Sequence, residues 1–256
     1  MESEQAAQAA ARNTLAERHG IGSPELEMPE VFAGEHENES MFKVHGATEV
    51  KFLIDTSPAK MTDLAQRPLV SGQLLTPLTR YADWGGQYAI DNGAFSGFCR
   101  KSFDSLLERQ KLHKPRCLFV TIPDIVGSHK RTWEIWRYRQ SWKFAEGWPH
   151  AFVMQNGAED ADHQWPCYDA IFIGGTDPWK DSRVVLDLVK TAKVFGVHVH
   201  VGRVNTVKRY RLFAETGADT CDGSGIAMYD HMLRNIERKL GGEKKHPELF
   251  GEEEAA

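Results

Sequence analysis

The stretch that decides the fold is Ala170-Ile-Phe-Ile-Gly174, the run from Trp179 to Phe195, and then Val197-His-Val-His-Val-Gly202. Two short apolar runs rich in Ile, Val and Phe flank a longer segment with Val184, Val185, Leu188, Ala192 and Phe195 at helical spacing, which predicts strand, amphipathic helix, strand. Working outward, the same pattern recurs. Lys51-Phe-Leu-Ile-Asp55, Pro68-Leu-Val-Ser-Gly72, Tyr88-Ala-Ile-Asp91, Cys117-Leu-Phe-Val-Thr121, His150-Ala-Phe-Val-Met-Gln155 and Thr220-Cys-Asp222 complete a set of eight strand candidates. Alternating strands and helices imply βαβ units and a parallel sheet. Eight repeats in about 200 residues predict an α/β protein, a single (β/α)8 TIM barrel, over an open doubly wound sheet. No Gly-x-Gly-x-x-Gly follows the first strand, which weakens the dinucleotide-binding alternative. The barrel is expected over residues 41–240, between an acidic tail or arm at 1–40, where Ala6 to Arg18 has helical composition, and an acidic tail at 241–256.

Composition sets the outer bounds. The chain has 256 residues, 41% hydrophobic and 26% charged, an ordinary globular balance with enough chain for one core. No apolar run approaches the roughly 18 residues of a membrane span, and the acidic start Met1-Glu2-Ser3-Glu4 is unlike a signal peptide. Cys99, Cys117, Cys167 and Cys221 lie far apart with no Cys-x-x-Cys pair, so reduced thiols in a cytoplasmic setting are expected, the host cytoplasm if the gene is a phage's. The net charge of −5 conceals an uneven distribution, because the tails carry −7 and −3 and leave the body at 41–240 with +5. Within it, basic residues cluster from Arg100 to Arg116, from Lys130 to Lys143, and at Arg203, Lys208, Arg209 and Arg211. Such stripes suit a phosphate backbone, and they equally suit the solvated faces of amphipathic helices.

In a parallel barrel, reactive groups collect where the strands end. Here those ends read Asp91-Asn92-Gly93-Ala94-Phe95, Pro123-Asp124, Gln155-Asn156-Gly157, Gly174-Gly175-Thr176, Gly202-Arg203-Val204-Asn205 and Asp222-Gly223-Ser224-Gly225. Any one Asp at such a position can be a helix N-cap. Three carboxylates, an amide pair and several glycines converging on one face predict more than capping. Two carboxylates beside a bound sugar are what displacement at an anomeric carbon requires, one as nucleophile and one to move protons. Asp124 with Gln155 and Asn156 supplies acceptors and donors for a planar heterocycle such as guanine.

At these residues the chain resembles the tRNA-guanine transglycosylases, and more closely their phage and bacterial relatives that insert 7-deazaguanine bases into DNA. The resemblance covers about residues 50–235. Asp91-Asn92-Gly93-Ala94-Phe95-Ser96 is similar to the family's Asp-Ser-Gly-Gly-Phe-Gln, which implies Asp91 as general base and Asn92, Gly93 and Phe95 in the substrate site. Gly217-Ala218-Asp219-Thr220-Cys221-Asp222 is similar to the family's Gly-x-Asp-x-Phe-Asp strand, which implies Asp222 as nucleophile. The base-binding positions carry over to Asp124, Gln155, Asn156, Gly174 and Gly175, with Gly202 beside them. The tRNA enzymes hold structural zinc through Cys-x-Cys-x-x-Cys and a later His, and no such spacing occurs here. No metal and no cofactor are therefore expected, and the resemblance implies DNA rather than tRNA as partner, with Arg203, Lys208 and Arg209 on its phosphates.

Other features have two readings. His198 and His200 alternate in one strand, so they face one side and suit either a metal-dependent hydrolase or a barrel lining without metal. Trp133, Trp136, Trp142 and Trp148 suit base stacking or burial against the barrel. Cys221 should point away from Asp222 and pack. A transglycosylase exchanging guanine for a 7-deazaguanine is the leading expectation. A metal-dependent barrel hydrolase and a nucleic-acid-binding barrel without catalysis are the alternatives.

Overall fold

The computed structural model describes residues 49–80, 84–138 and 146–241. The acidic arm at 1–40, the tail from 242, and Arg139, Trp142 and Lys143 lie outside the described residues. The described chain forms a closed barrel of eight parallel strands in sequential order: β1 (Lys51–Ile54), β2 (Val70–Leu75), β3 (Tyr88–Ile90), β4 (Cys117–Thr121), β5 (His150–Met154), β6 (Ala170–Ile173), β7 (His198–Val201) and β8 (Thr220–Cys221). β1 closes on β8 through Lys51 opposite Thr220 and Phe52 opposite Cys221. Helices α1 (Pro58–Leu64), α2 (Arg100–Gln110), α3 (His129–Arg137), α4 (Asp177–Lys180), α5 (Arg183–Val194), α6 (Val207–Thr216), α7 (Ser224–Met228) and α8 (Asp230–Gly241) surround it. The (β/α)8 expectation is met. No described helix is long and apolar enough to cross a membrane, and all four cysteines are free thiols.

Period-2 alternation sorts the strand residues. Phe52, Ile54, Phe152, Met154, Ile171, Ile173, Val199, Val201 and Cys221 pack outward with the helices in one large core. Leu53, Leu74, Ala89, Phe119, Ala151 and Ala170 form a separate inner cluster, one residue from each of six strands. The three alanines leave room for rings: Phe119 lies 5.1 Å from His200 and 5.7 Å from His198, and Phe172 lies 4.7 Å from His200, centroid to centroid. The barrel is therefore filled from below, and the polar residues sit above this plug.

Three sequence expectations change. The second strand runs Val70–Leu75 rather than 68–72. Gly72 does not end it, because a Cβ there would lie 2.3 Å from the carbonyl oxygen of Gln87, and glycine permits that close approach inside the strand. The predicted helix from Trp179 to Phe195 is two elements. α4 ends at Lys180 and α5 starts at Arg183 after Ser182, so its buried stripe is Val185, Leu188, Val189 and Ala192 at strict i, i+3, i+4, i+7 spacing. Val184 and Phe195 fall off that stripe and are exposed. Six strands, β1, β3, β5, β6, β7 and β8, stop one residue before the expected end, which at β3 and β8 leaves Asp91 and Asp222 just beyond the ladder. Trp136 and Trp148 are buried and Trp133 packs on the core, so these tryptophans follow the burial reading.

Candidate functional site

Asp91 follows β3, and its N–H donates to Leu75 O at 2.9 Å, so sheet geometry still sets where its side chain goes. The Thr121 hydroxyl, at 3.4 Å, and the Gly93 backbone N–H favour its ionised form. They are outweighed. Burial first, then the charges of Asp222 and Asp124, push the Asp91 carboxyl up from 3.8 to about 7. A carboxyl poised there can give and take a proton near neutral pH. Gly93, at φ 75°, turns the chain into a single 3-10 turn at Ala94–Ser96 that carries the exposed ring of Phe95.

Asp124 is buried, and each of its oxygens takes one amide: Asn92 Nδ2 donates to Oδ1 at 2.8 Å and Gln155 Nε2 to Oδ2 at 2.6 Å. Both amides are themselves locked. Asn92 Nδ2 also donates to Ile122 O at 3.0 Å, and its Oδ1 accepts from Ala94 N at 2.7 Å. Gln155 Oε1 accepts from Gly127 N at 2.8 Å and Gly175 N at 3.0 Å. The loops after β3, β4, β5 and β6 are thus stitched through one carboxylate, whose pKa burial raises against the pull of these amides. A carboxylate offers about four acceptor positions, so beyond Asn92, Gln155 and its own backbone N–H Asp124 keeps acceptor capacity for a ligand. Gly174 lies against the lock, since a Cβ there would sit 2.8 Å from Gln155 Nε2. Gly175, at φ 67°, leaves room for the Trp179 ring. Asn156 pairs reciprocally with Thr176, donating from Nδ2 to Oγ1 at 3.0 Å and accepting at Oδ1 from the backbone N–H at 3.0 Å.

Asp222 follows β8, with its N–H on Val201 O at 3.1 Å. Its Oδ1 accepts from Arg203 N at 3.3 Å and lies 3.1 Å from His200 Nε2. A Cβ at Gly202 would lie 2.7 Å from the Phe172 ring and 3.4 Å from Asp222 Oδ1, so this position keeps the floor beside the carboxylate open. Arg203 is the one described non-glycine residue at positive φ, 63°. Such strain costs about 1–3 kcal/mol and persists only where surroundings over-determine it. Here the guanidinium donates to Gly175 O, lies 3.5 Å from Asp177, and covers the Phe95 ring at 5.0 Å.

Of the residues expected on phosphates, Lys208 is exposed. Arg209 instead forks onto Asp181, with Nε and Nη2 each at 2.7 Å, and its Nη1 is 3.5 Å from Asp177. Arg109 caps Thr79 O and Arg116 caps Gly86 O, so parts of the basic clusters serve the fold.

The structure adds two groups that the sequence reading did not assign to the site. Lys180 is fully buried and donates to Gly202 O; burial, then Arg203, push its pKa down to about 8 against the pull of Asp222. A lysine ending a short helical run carries no signal of this in sequence. His200 did carry one, because it stands two residues before Gly202 on the inward face and pairs across from Thr220, two residues before Asp222. Among the described residues no group of three His, Cys, Asp or Glu side chains is arranged to hold a metal ion. No family model matches the chain, and no curated protein matches it.

Proposed function

We propose that this barrel is a transglycosylase that exchanges guanine in DNA for a 7-deazaguanine base. The observation carrying the reading is the pairing of unlike carboxyls at the barrel mouth: Asp222 with one oxygen held by donors, and Asp91 lifted to about 7 in part by the charge of Asp222. Asp222 attacks C1′ of the target nucleotide, the C1′–N9 bond breaks with its electron pair on guanine, and an ester links sugar to enzyme. Asp91 gives the departing base a proton, then takes the N9 proton of the incoming deazaguanine as that nitrogen displaces the carboxylate. Two inversions retain configuration. The sequence needs no cofactor. The target nucleotide must leave the base stack to reach the mouth, and Lys208 and the Arg203 guanidinium lie on the phosphate side of this reading. A cytoplasmic enzyme is consistent with four free thiols.

The test is direct. Protein, labelled 7-deazaguanine and either guanine-containing DNA or tRNA are incubated, and the polymer that gains label is counted. Label in DNA supports the reading, label in tRNA alone moves the substrate to RNA, and label in neither refutes base exchange.

The same reading makes Asp124 the residue that accepts from guanine N1–H and the 2-amino group, donors that guanine and 7-deazaguanines share and adenine lacks. Asp124→Ala is expected to weaken guanine and 7-deazaguanine together, by about 1.5–3 kcal/mol each, the range for a lost hydrogen bond to a charged group. Isothermal titration with both bases checks this. A loss confined to one base, or none, would return Asp124 to a purely structural lock between Asn92 and Gln155.

A further inference from the structure

We infer that His200 is the positioning residue for the nucleophile, holding Oδ1 of Asp222 so that Oδ2 alone is left to attack; this rests on the transglycosylase reading above. His200 is fully buried, its Nε2 3.1 Å from Asp222 Oδ1 and its Nδ1 2.9 Å from Thr220 Oγ1. His198 Nε2 lies 2.9 Å from the other side of the same hydroxyl. The protons follow from what each group can do. An ionised carboxylate only accepts, so His200 Nε2 carries hydrogen and donates to Asp222. In a neutral ring Nδ1 is then an acceptor, so the Thr220 hydroxyl must donate to it. That hydroxyl has one hydrogen, so toward His198 it can only accept, and His198 Nε2 must donate. Burial pushes the His198 pKa down to about 4, which keeps its ring neutral with a single N–H; the competing acceptor at Nδ1, Asp219 Oδ2, lies 3.9 Å away, beyond hydrogen-bond range, so that N–H serves Thr220 at 2.9 Å.

Every donor in the chain His198, Thr220, His200 therefore points toward Asp222. Aligned hydrogen bonds in a dry interior polarise one another, which strengthens the hold of His200 on Asp222 Oδ1. Two donors, His200 Nε2–H and Arg203 N–H, meet on Oδ1. The rotation that would bring Oδ1 to the substrate breaks both. The Phe119 and Phe172 rings, with centroids 5.1 and 4.7 Å from that of His200, prevent the imidazole from following. Attack then comes from Oδ2: the Oδ2–C1′ bond forms as C1′–N9 breaks, and the electron pair leaves on the guanine nitrogen. The His-x-His motif thus serves carboxylate orientation rather than metal binding.

The experiment compares the full chain with His200→Leu, His200→Gln and Thr220→Val in single-turnover formation of the covalent enzyme–DNA adduct, alongside the dissociation constant for guanine-containing DNA. His200→Leu is expected to slow adduct formation about 100-fold while the dissociation constant stays within about threefold, because the lost interaction acts on the attacking group. His200→Gln, which keeps an N–H at the position of Nε2, is expected to recover about tenfold of that loss, a rescue that mere filling of the cavity would not give. Thr220→Val should fall between them. Nitrogen-15 imidazole NMR of the parent should show His200 and His198 both as Nε2–H tautomers. Adduct formation at the parental rate in folded His200→Leu, or a Gln variant no better than Leu, overturns the proposal. So does an Nδ1–H tautomer at His200. If the Leu variant fails to fold, the Gln variant and the NMR spectrum decide. If the parent forms no adduct, base exchange fails, and the tautomer alone still supports or overturns the His200–Asp222 contact.

Discussion

Asp222→Asn is expected to abolish the proposed base exchange in a barrel that still folds. A carboxamide matches the carboxylate in shape, and its oxygen can accept from Arg203 N–H and His200 Nε2–H as Asp222 Oδ1 does. The contacts that hold the end of β8 are therefore kept. What is lost is the attacking oxygen: the group turned toward substrate becomes a neutral NH2 with no nucleophilic lone pair. Loss of a covalent nucleophile removes the pathway rather than slowing one step, so a fall of about 10³-fold or more in kcat is expected. The check is exchange of labelled base together with a thermal melt, which should stay within a few degrees of the parent. A second consequence is electrostatic. The charge of Asp222 is the next cause after burial that raises Asp91, so removing it must lower the Asp91 pKa, readable as a shift in its carbon-13 carboxyl titration. Normal turnover by folded Asp222→Asn would remove Asp222 from the chemistry. An unmoved Asp91 titration would show that the two carboxyls do not sense each other.

The barrel was legible because its signal is redundant. Eight short apolar runs each carry a β-type composition, and an error in one does not disturb the order of the rest. The second strand shows what limits such reading, since the glycine taken to end it lies mid-strand, where the Gln87 carbonyl approaches too closely for any Cβ. That approach depends on a neighbouring strand and leaves no trace in the local pattern. Val184 and Phe195 mark a different limit: α5 buries Val185, Leu188, Val189 and Ala192 and ends at Val194, so Val184 sits at the edge of the stripe and Phe195 past the end of the helix, and apolar character alone does not delimit either. Among site residues, Asp91, Asp124 and Asp222 were readable from position, because a carboxylate just past a barrel strand is at the working face whatever its partners are. Their roles were less readable. Gln155 was expected among the groups that bind the base, yet its amide spans Asp124 and two backbone N–H groups, Gly127 and Gly175. Arg209 was expected on phosphate and is forked onto Asp181. Both are long side chains whose partners come from other loops of the barrel, and sequence spacing does not encode where such chains end.

Asp91→Asn is expected to make the protein inactive and more stable at the same time. In the folded chain the Asp91 carboxyl titrates at about 7, against about 3.9 for a free aspartate. The sign follows from proton binding. Between about pH 4 and 7 the folded state holds this proton and the unfolded state does not, so the contribution of Asp91 is fully present below pH 4 and is lost as pH rises through 7. Above pH 7 the chain folds against the full cost of an anion buried beside Asp222 and Asp124. Asparagine carries no charge at any pH and escapes that cost. Three pKa units set a ceiling of about 4 kcal/mol; with an amide meeting Thr121 and Gly93 less well than a carboxylate does, a gain on the order of 2 kcal/mol at pH 8 is expected. For a barrel of this size that is a rise of about 4–8 °C in Tm. At pH 4, where the parent's carboxyl is already protonated and no anion is relieved, only the poorer contacts of the amide remain, so the variant should melt below the parent. The buried histidines act in the opposite sense, since His129 and His198 titrate at about 4 when folded and lose their stabilising contribution as pH falls below about 6.5. Both proteins carry them, so the difference between the two melting curves isolates Asp91. Exchange should fall by about 10²–10⁴-fold in the variant, the range for a missing general acid–base. Equal melting temperatures at pH 8, or the same difference at pH 4 and pH 8, would mean that the anion at Asp91 is not held at a cost. A carboxyl without that cost has no reason to carry a proton at neutral pH, and the proton-transfer role would pass to another group at the mouth.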